Sequence, residues 1–296
     1  MRPIRSLLIY LTFVFLGGAL LAPLLYLSTR ALAAHGWPFF EKIASNRFPR
    51  FVDRALLGAA VLGLWPLLNS CRMLNWRELG FKRGGRPWAG VVRGFVLGFG
   101  SLACVALFTI SLGGRKLSAG HSGLEVFDCV CNATLTAVVV SILEEVLFRG
   151  ALFGIISKAF SWPWALFVSS LVYALAHFIQ KADPPQTVDW LSGLVLLPKM
   201  FHGETSLIPM ALTLFVAGAI LALGYEQTGT LFFSVGLHSG WIFWLKSYGF
   251  LTVSVPGADV SIWGSDKLID GWLALPVLCC VLGIVWKTKL AGEKSN

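Results

Sequence analysis

Charged residues are scarce in this chain. Only 13% of its 296 residues are Asp, Glu, Lys or Arg, whereas soluble globular domains carry about 25%. Hydrophobic residues make up 56% of the sequence, and the mean hydropathy is +0.74. This composition excludes an ordinary soluble domain and predicts an integral membrane protein.

Several motifs of soluble proteins are also missing. The sequence has no CxxC spacing, no glycine-rich phosphate loop, no internal repeat and no low-complexity tract. Its six cysteines lie in or beside apolar runs, so we expect small buried hydrophobic residues rather than a disulfide framework. The net charge of +9 comes from short loops between apolar runs. This pattern encodes membrane topology and argues against a nucleic-acid partner.

The apolar runs predict an all-α polytopic membrane protein of about eight transmembrane helices, with an intramembrane catalytic cavity in a single membrane-embedded domain over 1–296. The glycines of the third span (Gly94, Gly98 and Gly100) should allow close helix packing. The patch Trp190–Leu197 is too short to span and suits a re-entrant or lid-like segment. The predicted spans are Ser6–Leu27, Ala55–Leu68, Gly94–Leu112, Phe127–Phe148, Pro163–Phe178, Leu207–Tyr225, Leu231–Leu245 and Leu273–Trp286.

Topology follows from the basic residues. The first span is longer than the apolar region of a signal peptide, so we expect a retained helix. The densest basic loop, 71–93, places the N-terminus on the cytoplasmic side. We therefore expect a multi-pass protein of the plasma (inner) membrane, in contact with membrane lipids.

Three formal charges interrupt the fourth apolar run, at Glu144, Glu145 and Arg149. A charge at the centre of a bilayer costs about 2.5–3.5 kcal/mol on insertion scales, so each needs a reason to be there. Glu145 and Arg149 are spaced i,i+4 with the acid first, which favours an ion pair. Glu144 lies on a different face. It suits a general base beside a histidine, or else a protonated carboxyl satisfied by a backbone carbonyl.

Two other spans carry ionisable groups. Tyr173 and His177 share one face of the fifth span, and His238 lies in the seventh. Polar groups of membrane helices normally face the bundle interior, so we expect these side chains to converge with Glu144. One possibility is a water-activating site, with Glu144 and His177 deprotonating water and His238 donating to an oxyanion. The other is a divalent metal such as zinc, bound by Glu144, His177 and His238, although the HExxH spacing is absent.

These residues resemble the motifs of the CPBP intramembrane proteases, which include type II CAAX prenyl endopeptidases and bacteriocin-immunity proteins. Glu144-Glu145-Val-Leu-Phe-Arg149 matches the pattern EExxxR, and Tyr173-Ala-Leu-Ala-His177 matches F/YxxxH. The third pattern, HxxxN/D, is matched only in part, since Ile242 follows His238 at the fourth position. The resemblance covers a core of about residues 130–245.

The resemblance implies hydrolysis of a peptide bond within the membrane, in a peptide or lipid-modified protein. By analogy, Glu144 and His177 activate water, and His238 stabilises the oxyanion. Glu145 and Arg149 hold the site together. Both metal-dependent and metal-independent glutamate mechanisms are known in this family, so the resemblance leaves the cofactor open.

The departure at Ile242 removes an oxyanion donor, a loss that typically costs about 10²–10³ in rate. Ser239, Trp241, Tyr173 or a backbone N–H replaces it, or activity is low, or the protein is a non-catalytic peptide-binding or immunity relative. A proton-coupled transporter using a buried glutamate is a third alternative. The sequence lacks the matched inverted halves typical of such transporters.

Overall fold

The computed structural model of the chain describes residues 2–82, 87–177, 183–199 and 208–288. They group into two compact units: one comprises Met1–Leu74 with Leu175–Glu204, and the other comprises Asn75–Ala174 with Thr205–Asn296. The elements in chain order are α1 (Arg2–Thr12), a π-helical turn (Phe13–Gly17), α2 (Gly18–Ala34), α3 (Pro38–Ala44), α4 (Phe48–Ser70), α5 (Pro87–Ser111), β1 (Arg115–Leu117), α6 (Gly123–Glu145), a second π-helical turn (Val146–Phe153), α7 (Gly154–Ser157), α8 (Trp162–Ala176), α9 (Ser192–Lys199), α10 (Ile208–Thr228), α11 (Phe232–Leu251), β2 (Thr252–Ser254), α12 (Val260–Trp263) and α13 (Ala274–Thr288).

The first unit is built around α2, which packs against α3, α4 and α9. Gly193 of α9 lies directly on the carbonyl of Ala19 in α2, where a side chain would collide with the backbone. The Tyr10 hydroxyl donates to the Ala60 carbonyl at 2.9 Å and ties α1 to α4. Most of the predicted short patch lies in helix α9, and its re-entrant or lid-like character stays a prediction.

Helix α11 is the centre of the second unit, where it packs against both α5 and α6. Gly94 and Gly98 of α5 lie against the carbonyls of Phe233 and Leu237, so their lack of a side chain lets the two backbones touch. The close packing predicted for these two glycines is confirmed. The prediction for Gly100 is wrong, because this residue faces open space.

Helix α6 presents a stripe of small buried residues, Ala133, Ala137 and Ser141, to α11, and Glu145 continues the same stripe at i+4 spacing. The helical segment runs on through the π-helical turn and α7 as far as Ser157. The predicted end of this span at Phe148 is therefore wrong. The apolar residues after Arg149 continue the helix, so the charged motif lies in its interior.

Five helical segments are long and apolar enough to cross a membrane, among the residues described: Pro3–Ala34, Phe48–Ser70, Pro87–Ser111, Gly123–Ser157 and Ile208–Thr228. This confirms a helical membrane protein. The count of eight spans and the single domain over 1–296 stay predictions. Shorter apolar helices, Trp162–Ala176 and Ala274–Thr288, correspond to the predicted fifth and eighth spans, and Phe178 lies outside the described residues.

Two details differ from the sequence-based expectations. Cys104, Cys131, Cys279 and Cys280 are exposed on helix surfaces rather than buried, and all six cysteines are free thiols in the structure. Apolar residues on the outer face of a membrane helix meet lipid, which explains why an apolar run does not guarantee burial in protein. The chain is also not purely helical, since β1 and β2 form a small antiparallel sheet with Arg115 opposite Ser254.

This sheet is organised around Arg115, whose side chain is 1% exposed. Its guanidinium donates to the Thr252 hydroxyl at 2.8 Å, the Ser254 hydroxyl at 2.9 Å and the Thr252 carbonyl at 3.0 Å. It also pairs with Asp266 at 2.6 Å and lies over the ring of Tyr248. One buried cation thus joins β1, β2 and the loop before α13.

Candidate active site

Helices α6, α8 and α11 and the π-helical turn after α6 bring four polar side chains of the second unit together at a buried point. Glu145, Arg149, Tyr173 and His238 are each at most 4% exposed. Arg149 lies in the π-helical turn, where the helix carries one extra residue per turn and departs from regular packing. Such turns occur frequently at functional sites.

The predicted ion pair between Glu145 and Arg149 is present, with Arg149 Nη1 donating to Glu145 Oε1 at 2.8 Å. Arg149 Nη2 donates to the Gly218 carbonyl of α10 at 3.2 Å. The guanidinium carbon also lies 4.6 Å from the ring centre of Tyr173, a cation–π distance. Arg149 therefore connects α6, α8 and α10.

His238 is oriented by the same carboxylate. Its Nδ1 lies 2.9 Å from Glu145 Oε1, so a hydrogen on Nδ1 would be donated to that oxygen. Nε2 then faces the other way, 3.3 Å from the Tyr173 hydroxyl and 3.7 Å from Glu144 Oε2. One oxygen of Glu145 thus orients both Arg149 and His238.

Glu144 has a different environment from its neighbour in sequence. The Glu144 side chain is 25% exposed, whereas that of Glu145 is fully buried. Its Oε2 approaches His238, so both carboxylates of the motif meet the same imidazole ring from two sides. Glu145 is thus enclosed in the scaffold, whereas the side chain of Glu144 is partly exposed.

The contacts of Ser239, Trp241 and Tyr173 show which of these side chains lies beside His238, where an oxyanion donor would replace the one absent at Ile242. Ile242 is 5% exposed and carries no polar group. The Ser239 hydroxyl lies 2.7 Å from both Ser141 Oγ of α6 and the Val235 carbonyl. The indole N–H of Trp241 donates to Ser101 Oγ of α5 at 2.9 Å. Ser239 and Trp241 therefore join helices, and only Tyr173 of the three side chains contacts His238 through a polar atom in the described residues.

His177 is the first residue after α8 and is half-buried. It belongs to the first unit, and its predicted meeting with Glu144 stays a prediction. No three His, Cys, Asp or Glu side chains of the described ranges form a group that could hold a metal ion. The metal set of Glu144, His177 and His238 therefore gains no support and stays a hypothesis.

Two features of the site were not predicted from the sequence. Ser141 lies one turn before Glu145 on the buried stripe and bonds to α11, and Gly218 supplies a carbonyl to Arg149. A serine at i−4 from a buried glutamate is a usable signal for the first. The second depends on the backbone of another helix, for which no sequence signal exists.

Comparison with known proteins identifies the segment that carries this site. Residues 127–244 match the family model described as "Type II CAAX prenyl endopeptidase Rce1-like". No curated protein and no solved structure gives a match. The matched segment contains Glu144, Glu145, Arg149, Tyr173, His177 and His238. The resemblance seen in the motifs is therefore confirmed, and residues 127–244 are similar to the CAAX-protease-like family.

Proposed function

We propose that the chain is an intramembrane endopeptidase. Its substrate would be a peptide or lipid-modified protein, cleaved near its C-terminus or in a membrane-proximal part. The observation that carries this proposal is the approach of Glu144 Oε2 to within 3.7 Å of His238 Nε2 in a family-matched segment. A partly exposed carboxylate beside an oriented imidazole is the arrangement that general acid–base catalysis requires.

In the proposed reaction, Glu144 accepts a proton from a water molecule, assisted by His177 as the family resemblance implies. The water oxygen attacks the peptide carbonyl carbon, and the carbonyl π electrons move to its oxygen. His238 stabilises this oxyanion by donating a hydrogen bond from Nε2, which requires a hydrogen on both ring nitrogens because Nδ1 donates to Glu145. The C–N bond then breaks, and the proton held by Glu144 passes to the leaving amine, which gives a carboxylic acid and an amine.

Glu145 and Arg149 take a supporting part in this proposal. Glu145 fixes the imidazole through Nδ1, so Nε2 faces the reacting side. Arg149 neutralises Glu145 and lies over the Tyr173 ring. A buried scaffold of this kind keeps the reacting groups in place without using them chemically.

The test uses purified full-length protein in proteoliposomes with three substrates: a prenylated C-terminal peptide, its unmodified counterpart and an apolar leader peptide. Wild-type protein should cleave at least one of them, with products identified by mass spectrometry. Glu144→Gln and His177→Ala should abolish cleavage while the protein still inserts. Asp128→Asn, an exposed carboxylate on the same helix, is the matched control and should cleave normally. Full cleavage by both Glu144→Gln and His177→Ala would refute the proposal.

A non-catalytic peptide-binding or immunity protein is the second candidate, and Ile242 favours it. This residue is buried and apolar at the position where the family resemblance implies an oxyanion donor. A binding protein should retain its peptide in Glu144→Gln and form no product in either variant. Product formation by wild-type protein excludes this candidate.

We also propose that the protein resides in the plasma (inner) membrane with its N-terminus in the cytoplasm, as the basic loop indicates. Protease protection of an N-terminal tag in spheroplasts tests this orientation. The cofactor is left open between a divalent metal such as zinc and none. Metal analysis of the purified protein, with cleavage before and after chelation, distinguishes the two.

A further inference from the structure

The site as described lacks a second oxyanion donor, because Ile242 cannot donate a hydrogen bond. A hydrolytic site of this type gains about 10²–10³ in rate from each such donor. Any replacement has to lie beside His238, which is the first donor in the proposed reaction. The replacement donor therefore has to be a polar hydrogen of the second unit that lies beside His238.

Tyr173 meets this requirement. Its hydroxyl lies 3.3 Å from His238 Nε2, on the side of the ring that Glu145 leaves facing the reacting groups. The hydroxyl of tyrosine both donates and accepts hydrogen bonds. The hydroxyl donates to Nε2 when Nδ1 alone carries a ring hydrogen. When Nε2 also carries one, as the proposed His238 donor requires, rotation about the phenol C–O bond turns the Tyr173 hydrogen toward the reacting carbonyl.

The Tyr173 ring is also held firmly. Arg149 covers one face at 4.6 Å, and Phe148 contacts the ring edge-on at 5.1 Å between centroids. The residue is 3% exposed. A fixed donor in a dry environment stabilises developing charge more strongly than a mobile one in water, because it needs no reorganisation.

We infer that Tyr173 is a catalytic residue of this chain, whose hydroxyl donates the oxyanion hydrogen bond that Ile242 does not supply. This inference rests on the proposed function. When water attacks the carbonyl carbon, the negative charge forms on the carbonyl oxygen, and the Tyr173 O–H points at it. No proton leaves Tyr173, so the proton from water still passes through Glu144 to the leaving amine.

The test compares Tyr173→Phe, which removes only the hydroxyl, with Tyr225→Phe, the same change at a tyrosine that packs on Phe153 outside the site. Tyr173→Phe should lower kcat about 10²–10³-fold with little change in KM and in the thermal unfolding midpoint. Tyr225→Phe should leave kcat unchanged. A normal kcat in Tyr173→Phe overturns the inference, as does a loss of cleavage explained entirely by unfolding.

Rescue separates a donor from a merely structural tyrosine. Ile242→Asn restores an amide donor at the position where the family resemblance implies one. In the Tyr173→Phe background it should raise kcat at least about tenfold, since one donor replaces the other. Absence of rescue, with Ile242→Asn itself folded and active, counts against the inference.

The two proposals fail in distinguishable ways. If Glu144→Gln is inactive while Tyr173→Phe has a normal kcat, the peptidase function stands and the role of Tyr173 is wrong. If Glu144→Gln cleaves as well as wild type, the proposed mechanism is wrong at its first step. If wild-type protein cleaves none of the three peptides, both are overturned.

Discussion

Glu145 Oε1 accepts hydrogen bonds from both Arg149 and His238, at 2.8 Å and 2.9 Å. Glu145 and His238 are 93 positions apart in the sequence, so this one oxygen fixes α11 against α6 at the point where the chemistry is proposed. The two adjacent glutamates therefore have different roles. Glu145 belongs to the buried scaffold, and Glu144 approaches the His238 ring from the Nε2 side.

The Glu145–Arg149 pair should be strongly coupled in stability. Glu145→Ala leaves a buried guanidinium without its carboxylate, and breaking a buried pair in this way costs about 3–5 kcal/mol. The double variant Glu145→Ala/Arg149→Ala leaves no such charge, so its loss should be well below the sum of the two single losses. The free energy of unfolding in detergent is measured for Glu145→Ala, Arg149→Ala and the double variant. Additive losses would show that the two side chains do not act as a pair.

Gly98 and Gly100 provide a matched test of the α5–α11 contact. Gly98→Ala places a methyl group against the Leu237 carbonyl and should destabilise by about 1–3 kcal/mol, as overpacking does. It should also lower cleavage, because α11 carries His238. Gly100 has open space around it, so Gly100→Ala should be neutral or stabilise by up to about 1 kcal/mol. Equal midpoints of thermal unfolding for the two variants would contradict this packing.

Much of this architecture follows from sequence patterns, but only where a pattern fixes a face of a helix. The i,i+4 spacing of Glu145 and Arg149 was enough to predict their contact. The close packing predicted for Gly94 and Gly98 is confirmed, whereas that predicted for Gly100 is wrong, because residues two positions apart on a helix point to nearly opposite sides. Predicting that requires knowing which face meets α11.

Other features depend on tertiary contacts that leave little trace in the sequence. The convergence of Tyr173 and His238 was expected from membrane energetics, but their 3.3 Å contact depends on how α8 and α11 are rotated. The strands β1 and β2 are three residues each, too short for a periodic pattern. The charged motif led to the wrong end of the fourth span, since charges in an apolar run resemble the end of a span, whereas the apolar residues after Arg149 continue the helix.

Arg115 should stabilise the small sheet through its geometry as well as its charge. Arg115→Lys keeps the charge but cannot make the several hydrogen bonds of a guanidinium, so we expect a loss of about 2–3 kcal/mol. Lys116→Gln, at the exposed neighbouring position, should change stability by less than about 0.5 kcal/mol. Chemical unfolding of both variants measures the difference. A similar small effect at both positions would refute the structural importance of Arg115.

The central claim is that Glu144 activates the water that cleaves a peptide bond. Cleavage in ¹⁸O-labelled water, followed by mass spectrometry of the products, tests it most directly. Wild-type protein should place one heavy oxygen atom in the new carboxyl group of the N-terminal product, and folded Glu144→Gln should form no labelled product above background. Labelled product formed by Glu144→Gln at the wild-type rate would contradict the account.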